Sequence, residues 1–298
     1  MSITLQNEFL KVETVEKGAE LVSIKTVKDG AEYLWTGKSD IWGRHAPILF
    51  PIVGKVKNNT YRINDDTYNL SQHGFARDTN FEIVENTSDK AVFKLAYNEE
   101  TLSKYPYKFE LIVKYELKDS NIEVSYNVKN VDSKEIYFSI GAHPGFNCPV
   151  IGGNAEAEDL KFEDCYFEFE KRETANIISI DENGLLKESP TPFLYDSNII
   201  HLKKELFKKD ALVFKDLSSK KVSLRNIKNS RAVTVEFDGF PYLGLWSKPQ
   251  GAPFVCIEPW YGHADFEDFN GDFREKDGIL KLLSKQEFNC KYTIRIFE

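Results

Sequence analysis

The chain has 298 residues, 41% of them hydrophobic and 13% aromatic, with a formal net charge of −8. That acidic balance argues against nucleic acid or an anionic membrane as the main partner, and no apolar run approaches the roughly 18 residues of a membrane span. The start, "MSITLQNEFLKVETVEKG", shows no basic region followed by an apolar stretch, and Cys148, Cys165, Cys256 and Cys290 lack CxxC spacing, so the expectation is a cytoplasmic protein with reduced thiols.

Taken in chain order, the dominant period is two. "FLKVETVEKGAELVSIKTVKDGAEYLW" alternates around a hairpin turn expected at 28–30, where Lys-Asp-Gly supplies the turn chemistry. "RINDDTYNL" repeats the pattern. "YKFELIVKYEL" (107–117), "IEVSYNV" (122–128) and "EIYFSIGA" (135–142) are β-branched or aromatic runs separated by "KDSN" and "VDSK". "KVSLRNIKNSRAVTVEFDG" and the closing "EFNCKYTIRIF" continue it. Helical pattern is confined to 99–104, 203–208 and 278–283. Many antiparallel strands without a composition break predict an all-β protein, one large sandwich of two sheets over residues 1–298. Two β domains are the alternative.

Four stretches interrupt the strands with polar groups beside Gly or Pro: "WGRHAPILFPIVGKV", "LSQHGFARDTNF", "SIGAHPGFN" and "PFVCIEPWYGHAD". In the third, His143 precedes Pro144, which pushes it toward extended backbone and away from helix. In the fourth, Glu258 emerges from the apolar run "FVCI". Taken singly, His143 reads as a satisfied strand-end histidine and Glu258 as a solvent-facing strand end. Taken as a pair they offer an acid and a base for chemistry near neutral pH. Trp246, Trp260, Phe75 and Phe146 flank these positions and suit either the core or the face of a sugar ring. His263 and Asp265 in "GHAD" are too unspecific for a metal site. No nucleophile elbow or phosphate-binding glycine loop occurs.

In these stretches the sequence resembles the aldose 1-epimerase (galactose mutarotase) family, most closely its LacX-like branch, over nearly the whole chain. The resemblance rests on "GAELVSI", "WTGKSDIWGRHAPILFPIVGKV", "HGFARDTNF", "GAHPGFN", "KDALVFKDL" and "LGLWSKPQGAPFVCIEPWYGHAD" in that order. It implies a galactose mutarotase-like β-supersandwich that interconverts the α and β anomers of an aldose without metal or organic cofactor, as a monomer or homodimer. By motif position His143 resembles the general acid and Glu258 the general base. His73 resembles the second active-site histidine, while Arg44, Asp210 and Trp246 fall where sugar hydroxyls are held. The acid–base pair implies an ionised glutamate beside a charged histidine and a bell-shaped pH profile centred near neutrality. The sequence departs from the galactose mutarotases in "GRHAPILFP", in "HGF" in place of His-Gly-Gly, and at Trp246, so the sugar is left open. A hexose 6-phosphate is the alternative substrate, with Arg77 and Lys55 as candidate phosphate partners or plain surface charges. A glycoside hydrolase using Glu258 with Asp210 or Asp238 and a non-catalytic sugar-binding protein are the competing readings.

Overall fold

The alternating stretches fold as the strands their period dictates. In the computed structural model, which describes residues 1–152, 160–249 and 251–298, Phe109–Lys118 and Asn121–Asn130 bury every second side chain. They pair antiparallel from Lys118 opposite Asn121 to Phe109 opposite Asn130. The turn between them uses Asp119 at φ +53°, a conformation Asp tolerates better than most residues.

Nine antiparallel strands form the larger sheet, in the order Thr191–His201, Cys165–Ile177, Lys221–Asn226, Ala232–Glu236, Glu287–Phe297, Asn121–Asn130, Phe109–Lys118, Lys90–Ala96 and Glu82–Asn86. The smaller sheet runs Leu212–Lys215, Tyr242–Trp246, Phe254–Tyr261, Ile140–Ala142 and Ile48–Leu49, with Gly145–Asn147 also pairing with Phe254–Tyr261. Leu111, Val113, Val124, Tyr126 and Ile294 from the first sheet share one buried cluster with Leu243, Leu245, Val255 and Ile257 from the second. Each such side chain contributes about 1.5–3 kcal/mol by leaving water. The expected sandwich of two antiparallel sheets is therefore the fold.

Local expectations fared unevenly. Residues 99–104 form the α-helix Glu99–Lys104, whose Asn98 side chain caps the Thr101 amide. Residues 203–208 give only a 3₁₀ turn, Lys204–Phe207. The expected helix at 278–283 is instead the strand Leu280–Leu282, paired with Ile136–Phe138. Six residues cannot offset the cost of helix nucleation when a strand partner is at hand. The turn at 28–30 forms around Gly30 at φ +71°, but its return arm makes a single bridge, Lys25 to Glu32. "EIYFSIGA" divides at Ser139, whose amide bonds the Pro51 carbonyl at 2.7 Å, and its halves enter different sheets. All four cysteines are free thiols. Among the described residues no helix is long and apolar enough to cross a membrane.

Candidate active site

The site begins with strand register. Ile140–Ala142 and Gly145–Asn147 both pair with Phe254–Tyr261, Gly141 opposite Trp260 and Gly145 opposite Cys256. The count of residues between these pairs is equal on the two sides, so the register carries through the gap and sets His143 opposite Glu258. Pro144 has no N–H to give the ladder, which opens at this point. Side chains opposite each other share a face, and here Nε2 of His143 lies 3.2 Å from Oε2 of Glu258. Along Phe254–Tyr261 the alternation then divides the labour: Val255 and Ile257 enter the core, while Glu258 and Trp260 line a cleft of about 310 Å³ on the opposite face.

That face is built for close approach. Its neighbours across the sheet are glycines: Gly244 pairs with Glu258, and a β-carbon on Gly244 would come within 2.5 Å of the Trp260 ring. Three aromatic groups surround His143. Trp42 lies 5.1 Å from it between ring centres, Trp246 meets it edge-on at 5.6 Å, and His73 stands perpendicular at 5.6 Å. Trp42 is itself stacked on Phe254.

Burial governs the charges. His143 and Glu258 are 9% and 1% exposed. Loss of hydration pushes Glu258 well above the usual carboxylate range, helped by the nearby Asp210 charge and opposed by the Trp260 indole N–H. Loss of hydration also lowers His143 to about 3, with Arg77 and Arg44 adding to the effect. Burial thus favours a neutral imidazole beside a protonated carboxyl over the expected ion pair. The two states hold the same number of protons and differ by one transfer across the pair. Although 3.2 Å apart, the groups do not close a hydrogen bond: Glu258 Oε2 has no hydrogen-bond partner. Both are left to engage a third party in the cleft.

His73 contributes a fixed donor. The Gly54 amide donates to its Nδ1 at 3.1 Å, so in the neutral ring the proton is on Nε2, toward the cleft. Burial, then the charges of His143, Arg77 and Arg44, hold it well below the ordinary histidine value. Its backbone is at φ +67°. Asp210 sits at the rim, its Oδ1 accepting the Ala211 amide at 2.8 Å. Partial desolvation raises it, against the lowering effects of that bond and of Lys55.

The structure thus brings His143, Glu258, His73, Asp210 and Trp246 together around one cleft. Arg44 is not among the lining residues. It is turned toward Asp78, which its Nη2 contacts at 2.9 Å. Arg77 lines the cleft instead, with its Nη2 on the Gln72 carbonyl at 2.7 Å and its buried Nε without a hydrogen-bond partner. Desolvation, then Arg44, lowers Arg77 to about 10. Lys55 reaches the Asn183 carbonyl at 2.9 Å, away from the lining. Phe75 and Phe146 belong to the core, and Asp238 is exposed on a turn outside the cleft. Trp42 and Gln72, which sequence reasoning did not single out, complete the wall. Among the described residues one group of side chains has metal-ligand proximity, His143, Cys256 and Glu258, with ligand atoms within 4.8 Å of one another. Cys256 packs with Trp35 and Phe254, and burial raises its thiol well above the ordinary value. A cation there would have to displace protons from both the thiol and the carboxyl.

Comparison with known proteins decides the family. The aldose 1-epimerase family model matches residues 1–281. The chain belongs to the aldose 1-epimerase family. It is 37% identical to the chromosomal protein LacX of Lactococcus lactis subsp. lactis, with 99% of each chain covered. A galactose mutarotase related enzyme from Lactobacillus acidophilus superposes with a TM-score of 0.92 at 38% identity, covering 100% of this chain and 98% of the other. A galactose mutarotase-like protein from Lactobacillus casei gives 0.91 at 31% identity, with both chains fully covered. The fold is therefore the galactose mutarotase-like sandwich, and membership supports a mutarotase-type isomerase.

Proposed function

We propose that this protein is an aldose 1-epimerase acting on a hexose, with His143 and Glu258 as its proton-transfer pair. The observation that carries this reading is their cross-strand placement, 3.2 Å apart in a cleft and without a hydrogen bond between them. The anomeric and ring oxygens of an aldose are bonded to the same carbon, so one acid and one base side by side can serve both. Transfer of the shared proton to His143 makes the working form. Glu258 then takes the proton of the anomeric hydroxyl, the bond from C1 to the ring oxygen breaks, and His143 protonates that oxygen. Rotation about C1 to C2 and reclosure with the roles reversed returns the other anomer. His73 Nε2–H donates to the sugar, Asp210 accepts from hydroxyls at the rim, and the Trp42 and Trp246 indoles take the apolar ring face. Arg44 supports the site through its charge, which with that of Arg77 adds to the effect of burial in lowering both histidines. The same reading takes residues 1–298 as one domain, since a single buried cluster runs from Ile3 to Ile296.

A second substrate, a hexose 6-phosphate, is favoured by the Arg77 guanidinium in the cleft wall, whose Nε makes no hydrogen bond and lies 3.8 Å from Oδ2 of Asp78. Polarimetry of freshly dissolved α-D-glucose, α-D-galactose and their 6-phosphates tests both. The proposal expects acceleration that falls about 10²- to 10⁴-fold in His143→Ala and Glu258→Ala. No acceleration of any of the four sugars refutes it, and release of sugar from an aryl glycoside would instead support the hydrolase reading.

A further inference from the structure

A third buried histidine, His263, has no part in the proton transfers above. It is 1% exposed, and both ring nitrogens face oxygen. Nδ1 lies 2.7 Å from the Ala264 carbonyl and Nε2 lies 3.0 Å from Oδ2 of Asp277. A carbonyl can only accept, and the Asp277 carboxyl is held in its ionised form by the imidazole beside it. A neutral ring has one N–H and one lone pair. Either tautomer would leave a lone pair facing an oxygen at hydrogen-bond distance on a ring that is itself buried, while the Asp277 side chain is 56% exposed. The Tyr242 and Phe266 rings, 4.8 and 5.3 Å away, close the other sides. Gly278 makes room for the ring, since a β-carbon there would come within 3.0 Å of Nε2.

His263 ties the turn that floors the cleft. Ala264, whose carbonyl it holds, lines the cleft and abuts Gly54 so closely that a β-carbon on Gly54 would lie 2.6 Å from the Ala264 methyl. The next residue locks the same two segments: the Asp265 amide bonds the Lys55 carbonyl, and its Oδ2 accepts the Lys57 amide, each at 2.8 Å. Gly54 in turn holds His73 twice, through its carbonyl to the His73 amide at 2.8 Å and through its amide to Nδ1 at 3.1 Å. A chain of contacts therefore runs from Asp277 through His263, Ala264 and Gly54 to the tautomer of His73.

We infer that His263 is a positioning residue: it sits in the fold as a doubly protonated imidazolium, clamped between the Ala264 carbonyl and Asp277, and holds the Ala264–Gly54 floor that sets His73 as an Nε2–H donor. This rests on the epimerase reading only for its consequence in catalysis, not for the state of the ring. The charged and titratable groups around His263 are Asp277, the Tyr242 hydroxyl, Lys215 over the Tyr242 ring, and the buried pair Lys276 and Asp265. Asp277 is the anion in direct contact, so it controls when the proton leaves.

The test uses ¹⁵N-labelled full-length protein and long-range imidazole ¹H–¹⁵N spectra across neutral to alkaline pH, with His263→Gln to assign the signals. At pH 7 the wild-type spectrum should show His263 protonated at both nitrogens. Asp277→Asn should lose that form at a pH lower by about one unit or more and shift the His73 resonances. In polarimetry, the alkaline limb of kcat/KM should move down by the same amount in Asp277→Asn, while the limb set by Glu258 is common to both proteins. A single protonated nitrogen on wild-type His263 at pH 7 overturns the inference, as does an Asp277→Asn variant with unchanged His73 signals and pH profile. Should no aldose be turned over, a doubly protonated His263 coupled to His73 still supports it, and the failure lies with the proposed function alone.

Discussion

Glu258→Gln should make the protein more stable, by an amount that grows with pH. An ordinary glutamate titrates at 4.5, and burial holds Glu258 well above that. Between those two values the folded state keeps a proton that the unfolded state has released, so stability falls as pH rises through this window. For each pH unit above 4.5 over which the folded protein keeps this proton, the cost grows by about 1.4 kcal/mol. Glutamine has the shape of the neutral carboxyl and no proton to keep, so the gain of the variant should climb from pH 5 to pH 7 with at most that slope. With an unfolding entropy of about 2 cal/mol/K per residue, a gain of that size appears as roughly 2 °C in Tm for each pH unit. Paired thermal or urea denaturation of wild type and Glu258→Gln at the two pH values measures it. A variant less stable than wild type at pH 7 would show that Glu258 is ionised and paired with a charged His143, and would refute the argument from burial. A gain equal at both pH values would refute it too, since it would come from packing and not from the proton.

The pH profile of kcat/KM should be flat on its acid side well below pH 6, because His143, lowered to about 3, takes up no second proton there; an acid limb near 6.5 would show the imidazole to be hydrated. Lys276→Met should cost about 3–5 kcal/mol in urea unfolding, because it strands the buried Asp265 carboxylate that Lys276 contacts at 2.9 Å; a neutral effect would show that the buried pair adds nothing to stability. Gly145→Ala should lower kcat/KM roughly 10- to 100-fold and change tryptophan fluorescence, because the new methyl would lie 2.8 Å from the Trp42 ring. Unchanged kinetics there would remove Trp42 from the substrate's wall.

The strands were legible because their signal is local. Period two in 107–117 and 122–128 needs no partner to be read, whereas the fate of 278–283 depended on Ile136–Phe138, far away in the chain. The His143–Glu258 pair lies between these cases. Each residue could be suspected from its setting, but their contact follows from register, which no single segment encodes. Period two alone would have removed Phe146, because it places residue 146 on the opposite face from His143 and Gly145; the structure puts it in the core. Arg44 and Arg77 could not be told apart by type. Asp78 lies beside both, 2.9 Å from Nη2 of Arg44 and 3.8 Å from Nε of Arg77, and only Arg77 lines the cleft, a difference visible only in three dimensions. Trp42 gave no signal of its own, since nothing before "WGRHAP" says which face an indole will take.

The glycines of the smaller sheet connect fold and site. Interior strand glycines weaken a sheet, as they bury no side chain and lose the most backbone freedom. Here Gly141 and Gly244 lie on either side of Phe254–Tyr261, and a β-carbon on either would come within 2.6 Å of Trp260. Their bare backbone lets that indole lie flat on the sheet beside Glu258. An ordinary strand residue at either place would lift the ring into the cleft and fill space that a substrate needs. The same strand therefore carries two designs at once: Val255 and Ile257 supply the sandwich with apolar area, and the opposite face gives up such area to hold a protonated carboxyl, an imidazole and room for a sugar. The weakness at the glycines and the proton held on Glu258 both draw on stability supplied by the core behind them, which is why the variant that abolishes proton transfer should also be the one that tightens the fold.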